Sequence, residues 1–232
     1  MRKLVFRRKD QLDFKANEAF KTLRTNILFS GKDIKVITLT SSTPNEGKTS
    51  ISFQLASSFA AADKKVLFVD ADIRKSVIAG RYKVDGNAFG LTHYMTGQKN
   101  MEDVINQTDI KNMDIILAGP VSPNPTELLG GLLFQRLIES QRENYDYIII
   151  DAPPIGSVID AAIIAKNVDG AILVVESGVI SYKMLQRVKD QMEKSECRIL
   201  GVVLNKIDMK NDSYYGNYYG KYYGKYYGNY GE

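Results

Sequence analysis

Residues 42–49 of this 232-residue chain read Ser42-Thr43-Pro44-Asn45-Glu46-Gly47-Lys48-Thr49, between an apolar, β-branched run at 35–41 (KVITLTS) and a helix-like stretch at 48–62. That order constrains the fold more than any other feature of the sequence. A loop so placed turns backbone amides toward one point, and the helix that follows adds its positive N-terminal end. The eight residues match the phosphate-loop pattern, with serine in place of the first glycine. Gly47 allows close backbone approach, Lys48 can reach β- and γ-phosphates, and Thr49 can place its hydroxyl on Mg2+. Ser50 falls in the first helical turn, so 42–50 is the candidate nucleotide-binding segment.

The rest of the chain supplies a matching scaffold. Short runs rich in β-branched residues recur at 65–70, 114–117, 147–151, 171–175 and 199–204. Their near-continuous apolar character implies buried, mostly parallel strands. Amphipathic stretches near 126–141, 157–166 and 181–194 read as crossover helices, which predicts an α/β fold with a doubly wound sheet. Ligands of such folds sit beyond the carboxyl ends of the strands. The organisation expected is an N-terminal segment (1–30) with a helix over 14–29, a core (31–208), and a tail (209–232). The helix carries Ala16, Ala19, Phe20, Leu23 and Ile27 at helical spacing. The tail repeats Tyr-Tyr-Gly-Xaa and has no aliphatic content to bury, so disorder is expected there.

Composition narrows the class further. With 44% hydrophobic and 25% charged residues, the chain is an ordinary globular protein. Its single cysteine, Cys197, cannot form an internal disulfide, which points to a reducing compartment. No run approaches the roughly 20 apolar residues of a membrane span, and no signal-length apolar stretch follows the start. A cytoplasmic location is therefore expected. Arg2, Lys3, Arg7, Arg8 and Lys9 form a basic cluster that either touches an anionic surface or is a solvated end. Elsewhere basic and acidic residues interleave, which argues against a nucleic-acid partner.

Three aspartates belong with the loop. Asp70 and Asp72 end one strand as LFVDADIR, and Asp151 ends another as YIIIDAPP. Asp70 and Asp151 each follow four apolar residues and Asp72 comes two positions after Asp70, so each carboxylate should emerge at the sheet edge that carries the loop. Magnesium takes oxygen ligands octahedrally and keeps several waters. Thr49, Asp72 and Asp151 are the metal-associated candidates. Asp70 is the candidate base for an acceptor hydroxyl, with Lys48 and Asp72 the other catalytic candidates. Asp70 and Asp72 are interchangeable in these roles on the sequence alone. Arg74 either neutralises phosphate or forms a surface ion pair, and His93 reads as structural or exposed.

These residues resemble the bacterial tyrosine kinases of capsule and exopolysaccharide loci, the BY-kinases. The resemblance runs through NEAFKTLRTNI (17–27), SSTPNEGKTS (41–50), FVDADIRK (68–75), LAGPVSPNPTELL (117–129), YIIIDAPP (147–154), GVVLNK (201–206) and the tyrosine cluster. By itself LAGPVSPNPTELL would read as a turn leading into a helix, with Thr126 as a candidate cap. The resemblance implies ATP as donor, Mg2+ as cofactor and tyrosines of a neighbouring copy as acceptors. It also implies a ring-like homo-oligomer, built through Glu18, Lys21 and Arg24, which resemble the family's Glu-x-x-Arg-x-x-Arg motif. Lysine in the middle position keeps the charge and loses the bidentate fork. Asn45 stands where glycine is common, and asparagine tolerates left-handed backbone angles. A transmembrane activator of polysaccharide export and a cognate phosphotyrosine phosphatase are further implied partners. The chain resembles the separate cytoplasmic kind, recruited to the inner face of the membrane.

The acceptors expected are Tyr214, Tyr215, Tyr218, Tyr219, Tyr222, Tyr223, Tyr226, Tyr227 and Tyr230. Each phosphate would add about −1.5 to −2 charges. The bland alternative is a low-complexity tail that associates through aromatic contacts. Rival functions share the architecture. A partitioning-type ATPase switch resembles others of its kind in a lysine at the second loop position, where this chain has Thr43. A GTPase is suggested by Asn205-Lys206-Ile207-Asp208, in which Asn205 reads guanine or contacts adenine. A binding-only regulator is disfavoured because Lys48, Thr49 and all three aspartates are present.

Overall fold

The structure, a computed structural model, describes residues 3–7, 12–85 and 88–207. The N-terminal part contains β1 (Lys3–Phe6), α1 (Phe14–Ser30), β2 (Val36–Ser41), α2 (Lys48–Ala61), β3 (Val66–Asp70), α3 (Ile78–Arg81) and β4 (Val84–Asp85). Next come α4 (Leu91–Met95), α5 (Met101–Val104), β5 (Asn106–Thr108), β6 (Met113–Ile116), α6 (Pro125–Leu129) and α7 (Leu132–Gln141). The chain continues with β7 (Tyr147–Asp151), α8 (Asp160–Ala165), β8 (Gly170–Glu176), α9 (Tyr182–Glu193) and β9 (Ile199–Asn205).

Nine strands form one sheet in the order β4-β1-β5-β6-β3-β7-β2-β8-β9. The run from β6 to β9 is parallel throughout. Antiparallel pairing is confined to the other end, where β5 meets β6 and β4 meets β1. Successive side chains of a strand face opposite sides, and the core divides accordingly. Val36, Leu67, Ile148 and Ile150 pack with Phe134, Leu137, Ile164 and Met192 on one face. Ile37, Leu39, Phe68 and Ile149 pack with Phe53, Leu55 and Phe59 of α2 on the other. Both faces being covered explains why these strands read as unbroken apolar runs. The fold expected from the sequence is the fold observed.

Several local expectations are corrected. The start of the chain is not simply a solvated end over residues 3–7. Leu4 and Phe6 are buried, Phe6 sits edge-on to Phe53 at 5.2 Å, and Arg7 pairs with Asp85. Arg2, Arg8 and Lys9 lie outside the described residues, as do Asp208 and the whole tyrosine repeat. The single helix expected over 126–141 is two, broken at Gly130–Gly131, where Gly131 adopts an extended backbone ahead of α7. Asn124 rather than Thr126 holds the N-cap position of α6, without a side-chain cap bond, because Pro125 takes the first helical position and the Thr126 hydroxyl is committed elsewhere.

Candidate active site

β2 lies between β7 and β8, so its carboxyl end opens where α2 can point its N-terminus at a ligand. The loop between them is shaped by two left-handed residues, Asn45 at φ 70° and Gly47 at φ 91°. Gly47 is required twice over. Its backbone angle disfavours any Cβ, and a Cβ there would lie 2.2 Å from Asn205 Nδ2. Gly156 carries a second close approach, since a Cβ would meet the Ser42 carbonyl at 2.0 Å.

Glu46 holds the loop from within. Its carboxylate accepts from the Thr43 amide at 2.8 Å and the Glu176 amide at 3.4 Å, and the side chain is buried. Glu46 therefore serves as an internal brace and offers only its backbone to a ligand. From outside, Asn205 Nδ2 donates to the Glu46 carbonyl at 2.9 Å. Lys206 Nζ donates to the Asn45 carbonyl at 2.7 Å and pairs with Glu176 at 2.8 Å. Pro44 and Asn45 are exposed, and Ser50 is half-buried in the first turn of α2. The Ser42 hydroxyl is buried with no partner among the described residues, as expected of a loop built around groups not its own.

Beneath the loop the expected residues converge. The β3–β7 register sets Asp70 beside Asp151. Lys48 Nζ lies 3.4 Å from both Asp151 oxygens, 3.5 Å from Asp72 Oδ2 and 3.3 Å from Thr49 Oγ1. Thr49 Oγ1 donates to Asp151 Oδ2 at 2.6 Å, and Ser52 Oγ donates to Asp151 Oδ1 at 3.0 Å. Burial opposes the Lys48 charge, yet Asp151, Asp72 and Asp70 together hold its pKa above the ordinary lysine value. Asp70 is wholly buried, and that burial, with the Asp151 charge beside it, pushes its carboxyl up to about 7. The Ser76 hydroxyl and the Asp72 amide hydrogen-bond to the Asp70 carboxylate. Asp72 is the more accessible of the pair and directs one oxygen at Lys48.

Sequence reasoning missed Ser52 and Ser76 as carboxylate partners. Ser52 carried a signal, lying one helical turn beyond Lys48; Ser76 carried none. Glu46 follows Thr43 at capping-box spacing, which anticipates its bond to the Thr43 amide. Arg74, left open above, is paired. Its Nε and Nη2 engage Asp160 at 2.6 and 3.0 Å, and Nη2 also donates to Thr126 Oγ1 at 3.0 Å. His93 is structural, its Nδ1 accepting from the Gly90 amide at 3.1 Å. The oligomerisation candidates are engaged within the chain. Lys21 pairs with Glu18 at 2.7 Å, and Arg24 donates to Ser58 Oγ at 3.2 Å and to its carbonyl.

A family model described as an AAA domain matches residues 34–205. The tyrosine-protein kinase CpsD of Streptococcus agalactiae serotype III (strain NEM316) is 44% identical over 200 residues, covering 86% of each chain. Among solved structures, the kinase domain of Escherichia coli tyrosine kinase ETK is similar with a TM-score of 0.79 and 32% identity. That match covers 86% of this chain and 82% of the other. The septum site-determining protein MinD complexed with Mg-ADP from Pyrococcus horikoshii OT3 is similar at a TM-score of 0.65 and 26% identity. It covers 75% and 71% of the two chains. A phosphate loop facing three carboxylates, joined to such identity over most of both chains, places this protein among P-loop nucleotide-binding proteins, and within them it belongs to the bacterial tyrosine kinases, the BY-kinases.

Proposed function

We propose that this protein is an ATP- and Mg2+-dependent protein-tyrosine kinase. In this reading it phosphorylates the tail of a neighbouring copy on Tyr214, Tyr215, Tyr218, Tyr219, Tyr222, Tyr223, Tyr226, Tyr227 and Tyr230. The observation that carries it is the meeting of Lys48, Thr49 and the three aspartates at the mouth of a phosphate loop. Phosphoryl transfer needs positioning and charge neutralisation more than covalent chemistry, and those groups supply both. The loop amides and Lys48 hold the phosphates. The tyrosine oxygen attacks the γ-phosphorus, the bond to the β,γ-bridging oxygen breaks, ADP leaves, and the phenolic proton passes to the Asp70–Asp72 pair.

The donor set fits magnesium: Thr49 Oγ1, Asp72 and Asp151 are hard oxygen ligands. Among the described residues no group of three or more His, Cys, Asp or Glu side chains forms a ready-made metal cage. When bound, Mg2+ would supply positive charge to offset the charge on the phosphates, held by Thr49, Asp72 and Asp151.

A ring-like oligomer through Glu18, Lys21 and Arg24, a transmembrane activator, and a phosphotyrosine phosphatase complete the proposed setting, which is the control of capsular or extracellular polysaccharide synthesis. No helix among the described residues is long and apolar enough to cross a membrane, so recruitment to the inner face of the membrane would depend on the activator. The likeness to MinD favours a second reading, an ATPase switch. Thr43 argues against it, since its amide is tied to Glu46 and it offers no cation to a partner site. The test is a full chain with all nine tail tyrosines changed to phenylalanine, incubated with Mg2+ and ATP. Loss of most phosphotyrosine supports the assignment, and undiminished phosphotyrosine refutes it.

A further inference from the structure

Five of the fourteen tyrosines lie among the described residues. Tyr82, Tyr94 and Tyr145 are buried, and Tyr147 is half-buried and stacked on Phe59. Tyr182 differs in being 75% exposed. We propose that Tyr182 is a further phosphoacceptor, modified by a second copy of this chain. The proposal rests on the kinase reading above and extends it to a folded site outside the tail.

Three observations carry it. The first is placement. β8 ends at Glu176, whose amide touches the loop brace Glu46, so the segment that follows leaves the sheet at the same edge as the phosphate loop. Val179 in that segment is 60% exposed, and Gly178, at φ 73°, has open space around it. The second is ease of presentation. Tyr182 is the first residue of α9, where backbone amides have no intrahelical acceptor and ends fray. The turn is held by the Ser181 cap on the Met184 amide at 3.2 Å and by Gln186 Nε2 donating to the Tyr182 oxygen at 2.7 Å. Releasing the Gln186 bond frees the phenol while the Ser181 carbonyl still holds the Met184 and Leu185 amides. The third is the fate of the product. No acidic residue occupies the first turn of this twelve-residue helix, and Lys189, two turns on, is paired with Glu193 at 2.6 Å. A phosphate ester there meets no carboxylate from the first turn of the helix.

Val188 and Met192 anchor the body of α9 in the core, and Tyr182 on its exposed first turn is open to a second copy. In the second copy's site the Tyr182 oxygen attacks the γ-phosphorus of ATP, and the bond to the bridging oxygen breaks as ADP leaves. The phenolic proton passes to that copy's Asp70–Asp72 pair.

The test mixes two full-length variants with Mg2+ and ATP. The acceptor carries Lys48→Met and phenylalanine at all nine tail tyrosines. The donor keeps Lys48 and carries the same nine changes with Tyr182→Phe. Mass spectrometry of the acceptor should find phosphate on Tyr182 at an occupancy at least about tenfold above Tyr147, because a stacked ring must first be released by local opening. The signal should vanish when the acceptor also carries Tyr182→Phe. Wild-type chain is run in parallel. If its tail is phosphorylated while Tyr182 of the acceptor is not, the proposal is overturned and the kinase reading stands. If wild-type chain takes no phosphate at all, the kinase reading fails and this proposal falls with it.

Discussion

Replacing Arg74 with alanine should cost far more stability than replacing its partner Asp160 with asparagine. The Asp160 carboxylate is fully buried and accepts from Arg74 Nε at 2.6 Å, Arg74 Nη2 at 3.0 Å and Thr126 Oγ1 at 2.9 Å. The Arg74 side chain is 37% exposed. Removing the arginine strands a buried charge with a single hydroxyl for company, a loss of about 3–5 kcal/mol. Asp160→Asn keeps an acceptor of the same shape and frees an arginine that water can solvate, so the loss is about 1–2 kcal/mol. For a domain of this size, each kcal/mol shifts Tm by about 2–4 °C. Arg74→Ala should therefore lower Tm by about 10 °C and Asp160→Asn by about 4 °C. Combining the two should recover at least about 2 kcal/mol of the arginine penalty, as expected for residues in direct contact. Urea unfolding at constant m reads the difference. Equal losses, or a larger loss for Asp160→Asn, would refute the claim that a buried carboxylate depends on Arg74 to join α6, α8 and the segment after β3.

Other perturbations separate the parts of the site. Gly47→Ala should lower nucleotide affinity by more than about tenfold, since a left-handed non-glycine residue costs about 1–2 kcal/mol before its clash with Asn205 is counted; titration calorimetry checks this, and adding Asn205→Ala should relieve only the clash. Lys206→Ala should cost below about 1 kcal/mol in unfolding, because the pair with Glu176 is half-exposed. It should nonetheless weaken nucleotide binding measurably, because the same ammonium holds the Asn45 carbonyl. Cys197 is buried, and that burial pushes its thiol up to about 11. Thiolate is therefore scarce at pH 8 and increases about tenfold per pH unit below 11. Native protein should react slowly with a thiol reagent, whereas unfolded protein should react at once.

The site was readable in the sequence largely because parallel strands buried on both faces appear as apolar runs, and the residue that ends each run lands at one edge. Asp70 and Asp151 end their strands, Asp72 follows Asp70 by two residues, and the phosphate loop follows β2 directly. The elements that escaped are short or polar. β5 reads Asn-Gln-Thr, and its buried Asn106 and Thr108 donate to backbone carbonyls at 2.8 and 2.6 Å, while Asn106 Oδ1 has no partner among the described residues. β1 is hidden among basic residues, and its burial depends on Phe53 and Tyr82, distant in sequence. The role of Thr126 was illegible for the same reason. Its partner Asp160 lies 34 positions away, and no local pattern joins them. Contacts that follow from strand order were readable, and those set by a single side-chain pairing were not.

The central claim is that the groups around Lys48 move phosphate from ATP to tyrosine. Purified chain and its Lys48→Met variant, each incubated with Mg2+ and ATP, can be compared by phosphotyrosine mass spectrometry. The account predicts phosphate on residues 214–230 of the unaltered chain and at least about a hundredfold less on the variant, the scale of losing a charge that neutralises the transition state. Equal labelling of both chains, or none on the unaltered chain, would contradict it.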